Sequence, residues 1–228
     1  MTSIRSRLLF VALTAALAAC HRASAVVGPT LKDLDAPAPD SFVVRFSTTK
    51  GDFDVKVHRD WAPAGADRLY GLVRHRYYDG ARFFRAVPNF VVQFGLAADP
   101  KATAAVHDRR IRDDSVTRSN VRGTVSFAAG GPNTRTTQLF VNLRDNQRLD
   151  RLGFAVFAQV VAGMEVVDSL YLGYGEGAPR GKGPQQDRIT SEGEAYLARD
   201  FPRLDQTRQA RIVARFGNMR AGVRNGTR

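Results

Sequence analysis

The side chains that carry metal or nucleophilic chemistry are too few and too dispersed in this chain to form a familiar constellation. Its four histidines, His21, His58, His75 and His107, show no paired ligand spacing, so no metal site is expected. No G-x-S-x-G stretch marks a nucleophilic serine. Gly181-Lys182 lacks both the correctly spaced first glycine and the following Ser or Thr of a phosphate loop. Cys20 is the single cysteine, which rules out an internal disulfide. Hydrolase, nucleotidase and metal-dependent chemistries therefore lose their support. What remains is two blocks dense in aromatic, Gly, Pro and Gln residues. The first is Phe83-Phe84-Arg85-Ala86-Val87-Pro88-Asn89-Phe90-Val91-Val92-Gln93-Phe94-Gly95. The second runs Gly123-Thr124-Val125-Ser126-Phe127-Ala128-Ala129-Gly130-Gly131-Pro132-Asn133-Thr134 and resumes at Gln138-Leu139-Phe140-Val141.

The first block resembles the signature of cyclophilin-type peptidyl-prolyl cis-trans isomerases, F-H-R-x-x-P-x-F-x-x-Q-x-G. The second resembles the family's G-x-x-S-M-A-x-x-G-P-N-T-x-x-S-Q-F-F-I. The likeness continues through Leu149-Asp150 and Val156 to Met164, and spans residues 42 to 172. From Gly175 to Val213 the chain resembles extensions of some bacterial exported cyclophilins. The resemblance implies a mainly β fold, an eight-stranded antiparallel barrel capped by two helices. It also implies an isomerase (EC 5.2.1.8) that rotates Xaa-Pro bonds in proline-containing polypeptides, works without a cofactor and is monomeric.

Rotation of that bond needs no covalent step. Its barrier of about 20 kcal/mol comes from delocalisation of the nitrogen lone pair into the carbonyl, so a donor aimed at the prolyl nitrogen favours the twisted state. The resemblance assigns this catalytic task to Arg85, whose guanidinium stays charged and holds several donors in a rigid plane. It places Phe90, Val91, Phe140, Leu149 and Phe154 around the proline ring, although plain core packing is an alternative for each. Gln93 and Gln138 match glutamines that contact substrate or orient the arginine, and the backbone of Ala128 and Ala129 matches the stretch that aligns the peptide. Phe84 stands where the signature has His, Phe127 where it has Met, and Leu139 where it often has Phe. Arg148 stands where many members have Trp or Phe, which puts a cation near Arg85 with Asp145 or Asp150 as candidate partners.

The elements needed to position these residues are legible as short runs. Phe42 to Phe46 and Phe53 to Val57 flank the turn Lys50-Gly51-Asp52 and predict a hairpin. Ala62 to Arg76, with Ala66, Leu69, Tyr70 and Val73 at three- and four-residue spacing, predicts an amphipathic helix. Further strands are predicted at 81–86, 90–94, 123–128, 138–142 and 154–161, a short helix over 164–170, and a last strand at 210–213.

The ends read differently from the middle. Arg5 and Arg7 precede the apolar run Leu8 to Ala19, the layout of a secretory signal over residues 1–19. The run closes on Leu17-Ala18-Ala19-Cys20, which resembles a bacterial lipobox with Cys20 as the lipidated residue. Ala23-Ser24-Ala25 offers the alternative of ordinary cleavage that releases a chain starting at Val26. Residues 20–40, with Gly28, Pro29, Pro37 and Pro39, predict a flexible tether, 41–213 a domain whose extension starts near 173, and 214–228 a basic disordered tail. These features predict export to the periplasm and membrane contact only through the lipid anchor. His21 after the cysteine resembles the outer-membrane default. The net charge is +12, or +10 once Arg5 and Arg7 are removed with the signal. The arginines are scattered among acids with no aromatic-interleaved stripe, so no specific nucleic-acid partner is expected. Three functions remain open: an isomerase that assists folding of exported proteins, a proline-peptide binding module without turnover, and a structural surface lipoprotein.

Overall fold

Alternation of inward and outward side chains generates the first hairpin. Strands β1 (Ser41–Thr48) and β2 (Gly51–His58) turn Phe42, Val44, Phe46, Phe53, Val55 and Val57 inward, all essentially without exposure. Each buried phenylalanine contributes about 1.5–3 kcal/mol. On the outer face Arg45 lies opposite Asp54 in the register and donates two hydrogen bonds to it, both 2.8 Å. The structure, a computed structural model, describes residues 33–217. The expected signal segment, Cys20, residues 21–32 of the tether and residues 218–228 of the tail lie outside the described residues.

The remaining strands are β3 (Arg85–Val87), β4 (Val91–Phe94), β5 (Thr124–Phe127), β6 (Leu139–Asn142), β7 (Val156–Ala162) and β8 (Thr207–Phe216). All eight join one antiparallel sheet in the order β3-β4-β6-β5-β7-β2-β1-β8. The sheet curls into a half-barrel. Its two ends meet through the backbone leading into β3 and β8, where Gly80 and Phe83 N–H donate to the Thr207 and Asp205 carbonyls at 2.7 and 3.0 Å. The expected mainly β fold is therefore present.

Five α-helices rather than two accompany the sheet among the described residues: α1 (Pro63–Arg74), α2 (Pro100–Val106), α3 (Met164–Asp168), α4 (Gln186–Glu192) and α5 (Glu194–Asp200). A 3-10 helix covers Gln147–Leu152. Asp99 caps α2 by accepting from Lys101 N–H at 2.9 Å, with Pro100 at the first helical position. Helix α1 has no side-chain cap of its own. Asp114 supplies one from a distant loop, accepting from Ala64 and Gly65 N–H at 2.9 and 3.0 Å.

Two expected boundaries are corrected. The tether reading fails from residue 33 onward, because Leu34 and Ala38 are core residues, Ala38 N–H donates to Asp67 at 2.8 Å, and Asp35 pairs with Arg68 at 2.6 Å. The disordered-tail reading fails at its start. Ala214, Arg215 and Phe216 continue β8 opposite Val43, Phe42 and Ser41, and a backbone ladder needs no apolar side chains to form.

The docked N-terminal segment leaves no room beside α1. A Cβ at Gly71 would lie 1.9 Å from the Leu34 carbonyl oxygen. Helix propensity alone favours alanine over glycine by about 1 kcal/mol. Overpacking reverses the sign here, and Gly71→Ala is expected to destabilise the fold by about 1–3 kcal/mol, measured as the shift in a denaturant unfolding midpoint. A stabilised variant would show that the segment does not pack on α1 in solution.

Candidate active site

The ladder places Arg85, Gln93 and Phe140 in one row across three neighbouring strands. Arg85 on β3 is opposite Gln93 on β4, and Gln93 is opposite Phe140 on β6. Arg85 Nη1 donates to Gln93 Oε1 at 3.0 Å, and Gln93 Nε2 donates to Gln138 Oε1 at 2.7 Å. The relay thus runs from a half-buried guanidinium along two amides.

Beside this relay Val91, Phe140 and Leu149 form a small buried cluster with Phe90, Ala128 and Phe154 packed against it. The rings of Phe140 and Phe154 meet edge to face at 5.6 Å. A buried polar network beneath the cluster holds its walls. Asn120 donates to Asp150 and to the Phe154 carbonyl, both at 2.8 Å, while Asn146 donates to the Phe90 carbonyl at 2.9 Å. Burial pushes the Asp150 carboxyl up, but hydrogen bonds from Ser119 and Asn120 outweigh it and leave the pKa below the usual carboxylate value.

All ten residues expected at the site, Arg85, Phe90, Val91, Gln93, Ala128, Ala129, Gln138, Phe140, Leu149 and Phe154, line a single cavity of about 480 Å³. Ala128 N–H is committed to the Gln138 carbonyl at 2.9 Å, so backbone contact with a peptide at this point falls to its carbonyl or to Ala129. Arg148 pairs with neither expected acid among the described residues. Asp150 serves Ser119 and Asn120, Asp145 accepts from Arg122 N–H, and Arg148 instead lies over the Phe90 ring at 4.8 Å. Arg85 approaches the same ring at 5.6 Å.

The residue that sequence patterns missed is Glu176. It lines the cavity and accepts from Arg85 Nε at 2.5 Å and Nη2 at 2.7 Å, a bidentate pair. Hydrogen bonds from Arg85 hold its carboxyl below the ordinary range, against an upward push from burial. The downward direction reflects the preference of Arg85 for the ionised carboxylate over the protonated acid. The pair's contribution is present above the unfolded carboxylate pKa and is lost as pH falls through the folded one. Glu176 belongs to the segment after the signature blocks, which also builds a second apolar cluster: Phe84 and Leu96 pack with Ile189, Tyr196, Leu197 and Leu204. That cluster accounts for Phe84 at a signature histidine position, since α4 and α5 cover the ring that histidine would leave more polar.

The curled antiparallel sheet, the cavity and the Arg85 relay define a family. The model for cyclophilin-type peptidyl-prolyl cis-trans isomerases matches residues 43–193, and the chain belongs to that family. A peptidyl-prolyl cis-trans isomerase of Acinetobacter baylyi is 32% identical over 157 residues, covering 65% of this chain and 81% of that one. Peptidyl-prolyl cis-trans isomerase A of Dickeya dadantii is 34% identical over 139 residues, covering 58% and 73%. Among solved structures, a Cryptosporidium parvum cyclophilin aligns with a TM-score of 0.57 at 19% identity, over 75% of this chain and 97% of that one. A Hirschia baltica cyclophilin aligns at 0.57 and 18% identity, over 78% and 76%. The protein is a peptidyl-prolyl cis-trans isomerase.

Proposed function

We propose that this isomerase assists the folding of exported proteins, with Arg85 as its catalytic donor and the Phe90, Val91, Phe140, Leu149 and Phe154 cavity as the seat of the proline ring. The observation that carries the mechanism is the Arg85–Gln93–Gln138 relay beside an apolar cluster in one cavity. An Xaa-Pro bond exchanges in tens of seconds unaided, because twisting it costs the conjugation between nitrogen and carbonyl. With the ring held apolar side down, a guanidinium N–H directed at the prolyl nitrogen engages the lone pair that twisting releases. A second N–H directed at the carbonyl oxygen steadies the peptide while the flanking group turns. No bond is made or broken, and no proton leaves Arg85.

Support for the exported role comes from the sequence: the short apolar run Leu8 to Ala19 after two arginines, ending at Cys20. In this reading Cys20 carries lipid and holds the enzyme at a periplasmic membrane face, the outer membrane by preference. Expression in a Gram-negative host with cell fractionation tests it. The wild type should sediment with membranes, and Cys20→Ser should lose that attachment. A soluble wild-type product beginning at Val26 would replace the anchor with ordinary signal cleavage, and a product retained in the cytoplasm would defeat the exported role.

A further inference from the structure

A guanidinium has five N–H groups, and three of those on Arg85 are already engaged. Nε–H and one Nη2–H donate to Glu176 at 2.5 and 2.7 Å, and one Nη1–H donates to Gln93 at 3.0 Å. By subtraction, one N–H remains on each terminal nitrogen. That pair suits the two atoms a twisting Xaa-Pro bond presents, the carbonyl oxygen and the prolyl nitrogen.

Glu176 is itself firmly placed. Its Oε1 accepts from Gly177 N–H at 2.9 Å and its backbone carbonyl from Gly183 N–H at 2.8 Å. The preceding Gly175 carbonyl accepts from Ala86 N–H at 3.3 Å, which ties the loop to the strand that carries Arg85. The loop closes so tightly that a Cβ at Gly181 would lie 2.3 Å from the Glu176 carbonyl oxygen. Such a loop presents one carboxylate at one place.

We propose that Glu176 is a positioning residue for isomerisation: by clamping Nε and Nη2 it fixes the plane of the Arg85 guanidinium, so that the two remaining N–H groups are oriented before substrate binds. The proposal rests on Arg85 being the catalytic donor and adds that its geometry depends on an acid from the extension. A bidentate carboxylate restrains a guanidinium in both position and plane. Misplacing a catalytic donor costs turnover more than affinity. A latch that substrate must displace would have the opposite sign.

The test is steady-state kinetics with a proline tetrapeptide carried to saturation, on wild type, Arg85→Ala, Glu176→Ala, Glu176→Gln and Gly181→Ala. Glu176→Ala is expected to lower kcat by about tenfold with KM changed less than about twofold. Glu176→Gln, which keeps one acceptor, should fall between it and wild type, with an unfolding midpoint close to wild type because the pair is partly solvated. Gly181→Ala, which displaces the loop without touching the carboxylate, should lower kcat in the same direction. Unchanged or raised kcat in both Glu176 variants overturns the proposal, the rise indicating a latch. A change confined to KM overturns it too, since Glu176 would then bind substrate directly. If Arg85→Ala retains full activity, the assignment of Arg85 fails first and the proposal fails with it. The Arg85→Ala variant tells that case apart from a failure of Glu176 alone.

Discussion

Arg85→Ala is expected to lower kcat/KM toward a proline tetrapeptide by about 10²–10³-fold, the usual consequence of removing a donor aimed at charge that develops during reaction. Little stability should go with it, because Arg85 keeps 19% of its side chain exposed and its partner Glu176 31%, so the orphaned carboxylate can reach water. Its carboxyl pKa should rise back toward the ordinary range once the Arg85 hydrogen bonds are gone. Arg85→Lys is expected to recover little. A single ammonium cannot serve Glu176 bidentately, bond Gln93 and still offer two donors to substrate. The measurement is a coupled or exchange assay against the slow uncatalysed background. Full activity in the alanine variant would leave the fold intact and remove Arg85 from the mechanism. A wild type no faster than background would make the groove a peptide-binding module.

The largest stability effect should come from a different arginine. Arg68 on α1 is 1% exposed, and its fork reaches Asp35 at 2.6 and 3.1 Å while Nη1 donates to the Arg109 and Thr136 carbonyls at 2.6 and 2.9 Å. Three separate stretches of chain therefore converge on one side chain. Arg68→Ala leaves two carbonyls unpaired, at about 1–3 kcal/mol each, and a cavity where the guanidinium sat, and is expected to cost about 3–5 kcal/mol in all. At roughly 2–4 °C per kcal/mol for a domain of this size, the midpoint should drop by about 10 °C. Calorimetry checks this, and a drop of only a degree or two would mean that the convergence is not maintained in solution. Activity should decline as well, because Thr136 lines the cavity and loses its backbone anchor.

Arg68 also shows where sequence patterns reach their limit. The apolar spacing of Ala66, Leu69, Tyr70 and Val73 correctly marks a helix, but it implies a solvated polar face containing Asp67 and Arg68. Both are buried, each paired with a partner outside the helix: Asp67 with Arg59, and Arg68 with Asp35. Nothing in a 3.6-residue period reports a second layer packing on the charged side. The substrate cavity was legible for the opposite reason. Eight of its ten expected residues come from two short blocks in which antiparallel pairing brings Arg85, Gln93 and Phe140 into line. Glu176 escaped because it lies 91 residues from its partner in a glycine-rich loop without periodicity. No helix is predicted between residues 171 and 209 for a related reason. Helices α4 and α5 are seven residues each and make sense only against Phe84 and Leu96. Beyond Ala214, charge density suggested disorder, whereas the ladder with β1 is satisfied by backbone alone.

The docking of Leu34 and Ala38 against α1 sets a leash length. Were Cys20 lipidated as proposed, at most residues 21–32 would be available as a tether, since the fold already holds Leu34 and Ala38 in its core. Residues 21–32 fully extended reach at most roughly 40 Å, comparable with the diameter of the domain, about 40 Å from chain-length scaling. A tether running to residue 40 would have let the enzyme range well clear of the bilayer. With its inner end stitched into the core, an enzyme anchored as proposed would be confined to a layer about one molecule deep, and the clients within its reach would be chains at, or lying along, the membrane surface.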